Sequence, residues 1–187
     1  MKNRQAATKS LILVTGGSRS GKSVFAQQLA EQYDAPRLFI ATCPNIDPET
    51  DSRITRHCRD RAGRGWQTIE EPLLLAGLLR RIPPGTVVLI DCLTLWISNL
   101  MHEAEQSSRI SEEQITVLTD ELSQAARRHQ GRVIFVTNEV GLGIVPDNPA
   151  ARQFRDLSGR CSQIIAAAAD EVFLVCCGIP LRIKPAG

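Results

Sequence analysis

Residues Gly16, Gly17, Ser18, Arg19, Ser20, Gly21, Lys22 and Ser23 follow the spacing G-x-x-x-x-G-K-[ST] of a phosphate-binding loop. The apolar run Leu11 to Val14 enters the loop, and Val24, Phe25, Ala26, Leu29 and Ala30 leave it at helical spacing. Glycines let the backbone curl until several N–H groups face one anion, and the following helix adds its dipole. In such a loop Lys22 reaches the β- and γ-phosphates of a nucleotide, and the Ser23 hydroxyl holds Mg²⁺.

Three further groups of residues are suited to phosphate chemistry. Asp91 follows four apolar residues, the position where a carboxylate orients Mg²⁺ or its waters. Arg53, His57 and Arg61 recur every four residues, so on a helix opened by Asp51 or Ser52 they share one face. Two flanking cations disfavour imidazolium, and a neutral imidazole can attack phosphorus while arginines hold its oxygens. The same spacing also suits a basic, solvated helix face. Asn138 and Glu139 open a glycine-bearing segment that ends at Pro146; it fits close backbone approach to a ligand, and equally an ordinary turn.

The elements that must position these groups alternate. Apolar runs at 11–15, 37–42, 86–91, 132–137 and 171–176 read as central strands covered on both faces. Ser111–His129 reads as a helix with a Ser111/Gln114 capping box, and Asn148-Pro149 opens another that runs to about Ala169. A tight turn at 178–180 leads to a short last strand, 181–184, which must be antiparallel to its neighbour. Alternating β and α units predict an α/β three-layer sandwich, a mostly parallel sheet with an antiparallel C-terminal edge strand. Ligands then bind beyond the carboxyl ends of the strands.

The 187 residues fit one domain, 11–187, after a frayed polar leader, 1–10. A net charge of +2 supplies no field that calls for nucleic acid, and no apolar run is long enough to span a membrane. None of the six cysteines pairs in C-x-x-C spacing, which argues against a zinc site; Cys92, Cys176 and Cys177 lie in or beside apolar runs and are expected in the core. Scattered thiols and no export signal point to the cytoplasm.

The chain resembles the bifunctional adenosylcobinamide kinase/adenosylcobinamide-phosphate guanylyltransferases of cobalamin biosynthesis, from Leu11 to Lys184. The resemblance rests on Thr15 to Ser23, Ile40 to Thr42, Arg53-Ile-x-x-His57, Trp66-x-Thr68-x-Glu70, Val136 to Pro146, and Arg152 to Asp170. It implies a P-loop NTPase of RecA-like build, assembled as a homotrimer. It implies phosphorylation of adenosylcobinamide by ATP or GTP, then transfer of GMP from GTP through His57 to adenosylcobinamide phosphate. By the same resemblance the nucleotide contacts fall on Gly16–Ser23, on Ala41, Thr42 and Cys43, on Cys58, Arg59, Asp60 and Arg61, and on Glu70 and Asp91. Lys22, His57 and Asp91 would be catalytic, with Ser23 and Asp91 on Mg²⁺; Arg53, Asn138 and Glu139 are further candidates. The competing readings are a plain P-loop kinase in which His57 is structural, a RecA-like ATPase acting on DNA, and a nucleotide-dependent binding switch.

Overall fold

Parallel pairing dominates the chain's architecture. The computed structural model describes residues 9–43, 63–105 and 110–185. Seven strands form one sheet: β1 (Ser10–Thr15), β2 (Arg37–Ala41), β3 (Trp66–Glu70), β4 (Val87–Asp91), β5 (Arg132–Val136), β6 (Glu171–Cys176) and β7 (Ile179–Lys184). Their order is β3-β2-β4-β5-β1-β6-β7, and all pairs are parallel except β6 with β7. Among the described residues the helices are α1 (Lys22–Ala30), α2 (Leu75–Leu79), α3 (Leu93–Glu105), α4 (Glu112–Arg128) and α5 (Pro149–Ala168).

Alternation along each strand divides the core in two. Ile12, Val14, Leu89, Ile134 and Val136 face α1, packing with its Ala26 and Ala30. Leu11, Leu13, Val88, Ile90, Val133 and Phe135 face the layer of α2 to α5, meeting Leu75, Trp96, Ile115, Leu122 and Ile165. Sheet between helices is the three-layer sandwich expected from the alternating pattern.

Two helix starts follow from their capping residues. Ser111 Oγ accepts from the Gln114 amide at 3.2 Å, and the Gln114 side chain accepts from the Ser111 amide at 2.7 Å. Asn148 Oδ1 accepts from the Ala150 and Ala151 amides, and Pro149, without an N–H to satisfy, begins α5.

Other elements depart from the sequence reading. β3, α2 and α3 are additions to the expected set. β3 is a five-residue edge strand, largely exposed, so its sequence lacks an apolar run; it is anchored by Trp66, whose Nε1 donates to Glu31 at 2.9 Å. α3 starts two residues after β4, and its apolar Leu93, Trp96 and Ile97 continue that strand's run, which hides the change of period. The C-terminal turn is Cys177-Gly178 rather than 178–180: both residues have positive φ, 51° and 80°, and Ile179 already pairs with Cys176. That is the conformation of a two-residue hairpin whose twist matches its strands. Pro180 is accommodated because β7 is an edge. Cys176 and Cys177 are exposed, contrary to the core placement expected of them, because the chain has run past the helix layers where it turns; Cys92 is buried as expected. The segment 44–62, with Arg53, His57, Cys58, Arg59, Asp60 and Arg61, lies outside the described residues, as does 1–8 of the leader.

Phe135 is fully buried in the central strand β5. Phe135→Ala should lower the unfolding free energy by about 3–5 kcal/mol, read from the midpoint of a urea titration with an unchanged slope.

Candidate active site

The strand register gathers the candidate residues at one end of the sheet. Glu70 pairs with Ala41, Ala41 with Asp91, Asp91 with Val136, and Val136 with Val14, just before the phosphate loop. Glu70 and Asp91 thus stand two strands apart in one row, about 10 Å between backbones. Thr42, Cys43, Asn138 and Glu139 follow the strand ends of the same row.

The loop from Gly16 to Gly21 is shaped by backbone contacts on both sides. Gly16 has φ 154° and Gly21 φ 93°; Arg19, exposed, also takes a left-handed φ of 57°. A Cβ on Gly16 would collide with the Val175 carbonyl oxygen and lie 2.7 Å from Ser20 Oγ. A Cβ on Gly21 would lie 3.1 Å from the Gly178 Cα, and the Gly178 amide donates to the Ser20 carbonyl at 2.8 Å. On the other side the Glu139 amide donates to the Gly16 carbonyl at 3.0 Å. Gly21 is the N-cap of α1 and no side chain caps it, so the first-turn amides remain for an anion. Ser20 Oγ is buried without a hydrogen-bond partner, a further donor within the cradle. Gly17 and Ser18 are exposed, and Ser23, in the first turn of α1, is partly buried.

Lys22 is only 7% exposed and donates from Nζ to the Gly17 carbonyl at 3.0 Å. Burial pushes its pKa down, and the charge of Asp91 pushes it back up. A triphosphate in the loop would add negative charge beside this buried ammonium and favour its protonated form. Burial, reinforced by Asp91, raises the Cys92 thiol to about 11, so it stays protonated near neutrality.

Behind Asp91 lies a buried polar network that joins three strand ends. Thr42 is fully buried; its Oγ1 donates to the Cys92 carbonyl and accepts from the Cys92 amide, both at 2.8 Å. The Asp91–Cys92 peptide bond inside this clamp is cis. Cys92 Sγ lies 3.0 Å from Thr94 Oγ1, and Asn138 Nδ2 donates to Thr94 Oγ1 at 2.7 Å. From α3, Asn99 Nδ2 donates to the Thr42 carbonyl at 2.7 Å and to the Pro72 carbonyl at 3.1 Å. Thr42 and Asn138 therefore spend their side chains on this network. Glu139 is exposed, and its carboxylate accepts from the Gly141 amide at 2.7 Å. Thr94 and Asn99 escaped the sequence reading because α3 itself did; a polar residue one turn into a helix that follows Asp91 is the signal that was available.

A buried lysine in a phosphate loop, a carboxylate at the next-but-one strand end and a central parallel sheet define a P-loop nucleotide-binding protein of RecA-like α/β build. The structure of the flagellar accessory protein FlaH from Methanocaldococcus jannaschii shares this fold, with a TM-score of 0.53 at 13% identity over 96% of this chain and 80% of that one. The chain belongs to the cobinamide kinase / cobinamide phosphate guanyltransferase family, which matches residues 12–183. It is similar to the bifunctional adenosylcobalamin biosynthesis protein CobU of Escherichia coli (strain K12), 41% identical over 93% of this chain and 99% of that protein. It is also similar to CobP of Pseudomonas aeruginosa, which bears the same description, at 38% identity over 92% and 96% of the two chains. The chain is accordingly a transferase of cobalamin biosynthesis, a kinase and guanyltransferase. No helix among its described residues is long and apolar enough to cross a membrane.

Variants at two positions test the site. Lys22→Met removes a buried charge, so nucleotide affinity should fall about tenfold or more by fluorescence titration while the melting temperature of the free protein holds or rises. The pH sign agrees: a lysine whose pKa is lowered on folding binds fewer protons than in the unfolded chain, so its share of stability increases as pH climbs towards 10.5. Thr42→Val deletes both hydrogen bonds to Cys92 and should cost about 1–3 kcal/mol of stability with reduced kcat, whereas Thr42→Ser should retain both.

Proposed function

We propose that the chain phosphorylates adenosylcobinamide and then guanylylates the product, with His57 as the covalent carrier of GMP. The observation that supports this most directly is the cradle itself: Lys22 is buried beside Asp91 in a chain whose family spans residues 12–183. In the kinase step the aminopropanol hydroxyl oxygen attacks the γ-phosphorus of ATP or GTP. The bond from that phosphorus to the β,γ-bridging oxygen breaks, the nucleoside diphosphate leaves, and the hydroxyl proton is released. Loop amides and Lys22 bear the charge on the departing diphosphate.

In the second reaction a neutral His57 nitrogen attacks the α-phosphorus of GTP and pyrophosphate departs from the same loop. The phosphate oxygen of adenosylcobinamide phosphate then displaces the histidine, giving adenosylcobinamide-GDP. Covalent catalysis divides a difficult transfer into two displacements. Each inverts the phosphorus centre, so the overall transfer retains configuration. Arg53 and Arg61 would hold phosphate oxygens beside His57. The nucleotide contacts carried by resemblance, on Gly16–Ser23, Ala41–Cys43, Cys58–Arg61, Glu70 and Asp91, belong to this proposal.

Mg²⁺ suits the donor set. Asp91 and the Ser23 hydroxyl would hold the ion together with nucleotide phosphates. When bound, the ion would neutralise phosphate charge. Kinship further suggests a homotrimer, and exposed Leu142, Ile144 and Val145 beside Glu139 offer apolar surface for one. Free thiols at Cys92, Cys161, Cys176 and Cys177 suit a reducing compartment such as the cytoplasm.

The test is incubation with GTP labelled at the α-phosphate. An acid-labile, base-stable label on His57 is expected, absent from His57→Ala, with kinase turnover persisting in that variant. Kinase turnover without label would leave a plain P-loop kinase as the correct description, and net inversion at phosphorus would replace the histidine intermediate with direct transfer.

A further inference from the structure

The C-terminal hairpin tip carries two thiols next to the backbone that holds the phosphate loop. Cys176 and Cys177 are both exposed, and their Sγ atoms lie 3.8 Å apart. The next residue, Gly178, donates its amide to the Ser20 carbonyl at 2.8 Å and lies against Gly21. Val175, immediately before the pair, places its carbonyl oxygen against Gly16. The dithiol is therefore bracketed by the residues that grip both ends of the loop.

We infer that Cys176 and Cys177 form a bidentate site for a single soft, thiophilic centre such as trivalent arsenic, and that filling it weakens nucleotide binding through Gly178. Neighbouring residues joined by a trans peptide have Cα atoms about 3.8 Å apart, closer than the 4.4 Å or more usual for a disulfide. A direct S–S bond would therefore require the turn to be rebuilt. One atom inserted between the sulfurs reduces that demand to a twist of the intervening peptide, because each sulfur keeps its own bond to the bridge. Soft thiolates favour soft centres. With an organic arsenoxide, both S–H bonds and the As–O bond are lost, two As–S bonds form, and the oxygen leaves with both protons as water. No oxidant or reductant is required.

The coupling is mechanical. Cys177 holds φ 51° and Gly178 φ 80°, so the tip exists in one narrow conformation that aims the Gly178 amide at Ser20. A ring closed through Cys176 and Cys177 fixes their side-chain torsions and twists the peptide between them. The Gly178 amide then loses its line to the Ser20 carbonyl. Gly21 has little room to shift towards the tip, since a Cβ on it would already lie 3.1 Å from the Gly178 Cα. This inference depends on nucleotide binding at the loop and is independent of the role proposed for His57.

Phenylarsine oxide is a suitable probe. Intact-protein mass should show one bridging adduct, mapped to the Cys176–Cys177 peptide and removed by 2,3-dimercaptopropanol. The adduct should weaken binding of a fluorescent GTP analogue about fivefold, the scale of one lost backbone hydrogen bond. Cys176→Ser/Cys177→Ser should bind the analogue like the unsubstituted chain and should be insensitive to the reagent; either single variant should lose the bridged adduct. An adduct on both sulfurs with unchanged affinity would overturn the coupling. Weakening that persists in the double variant would overturn the site, placing the effect on another cysteine such as Cys43.

Discussion

The site depends on a constraint of parallel pairing: strands that run in the same direction in register end together. Glu70, Ala41, Asp91, Val136 and Val14 occupy one row of the sheet. Each is followed by a segment rich in hydrogen-bonding groups, and none of those segments could reach the others if one strand slipped. A shift by one residue would also turn Ile12, Val14, Ile134 and Val136 from the α1 side to the opposite layer. Core packing thus holds the register, and the register brings the loop residues together.

The phosphate loop illustrates how neighbours share responsibility for a motif. Its glycines are commonly explained by the anion they must approach. Here Gly16 and Gly21 are also required by the protein, because Val175 and Gly178 occupy the space where side chains would be. The loop is held before any ligand arrives: by Gly178 on one side, by Glu139 on the other, and from within by Lys22 bonded to Gly17. Preorganisation of this kind lowers the ordering cost of binding. It also makes Val175 and Gly178, remote in sequence, supports of the phosphate loop.

Asp91 is supported in a similar way. The backbone at this strand end is fixed, since Thr42, Thr94, Asn99 and Asn138 bond around Cys92 and the strand ends beside it. The raised thiol pKa keeps Cys92 neutral, so the network adds no second negative charge beside Asp91. Burial of so many polar atoms is tolerable because each bond named here pairs a donor with an acceptor.

Much of this was legible in the chain. The phosphate loop, the apolar strands, the Ser111 and Asn148 caps and the antiparallel last strand depend on residues close in sequence, so local spacing encodes them. The motif likewise marked Gly16–Ser23 as the candidate phosphate-binding loop. Only the tertiary structure decided that Thr42 clamps Cys92, that Asn99 ties α3 to the end of β2, and that the exposed Cys176–Cys177 tip seats Gly178 against the loop. Those contacts join residues from about 50 to more than 150 positions apart. No local periodicity records them, because they exist only once the sheet has closed and the strand ends are side by side.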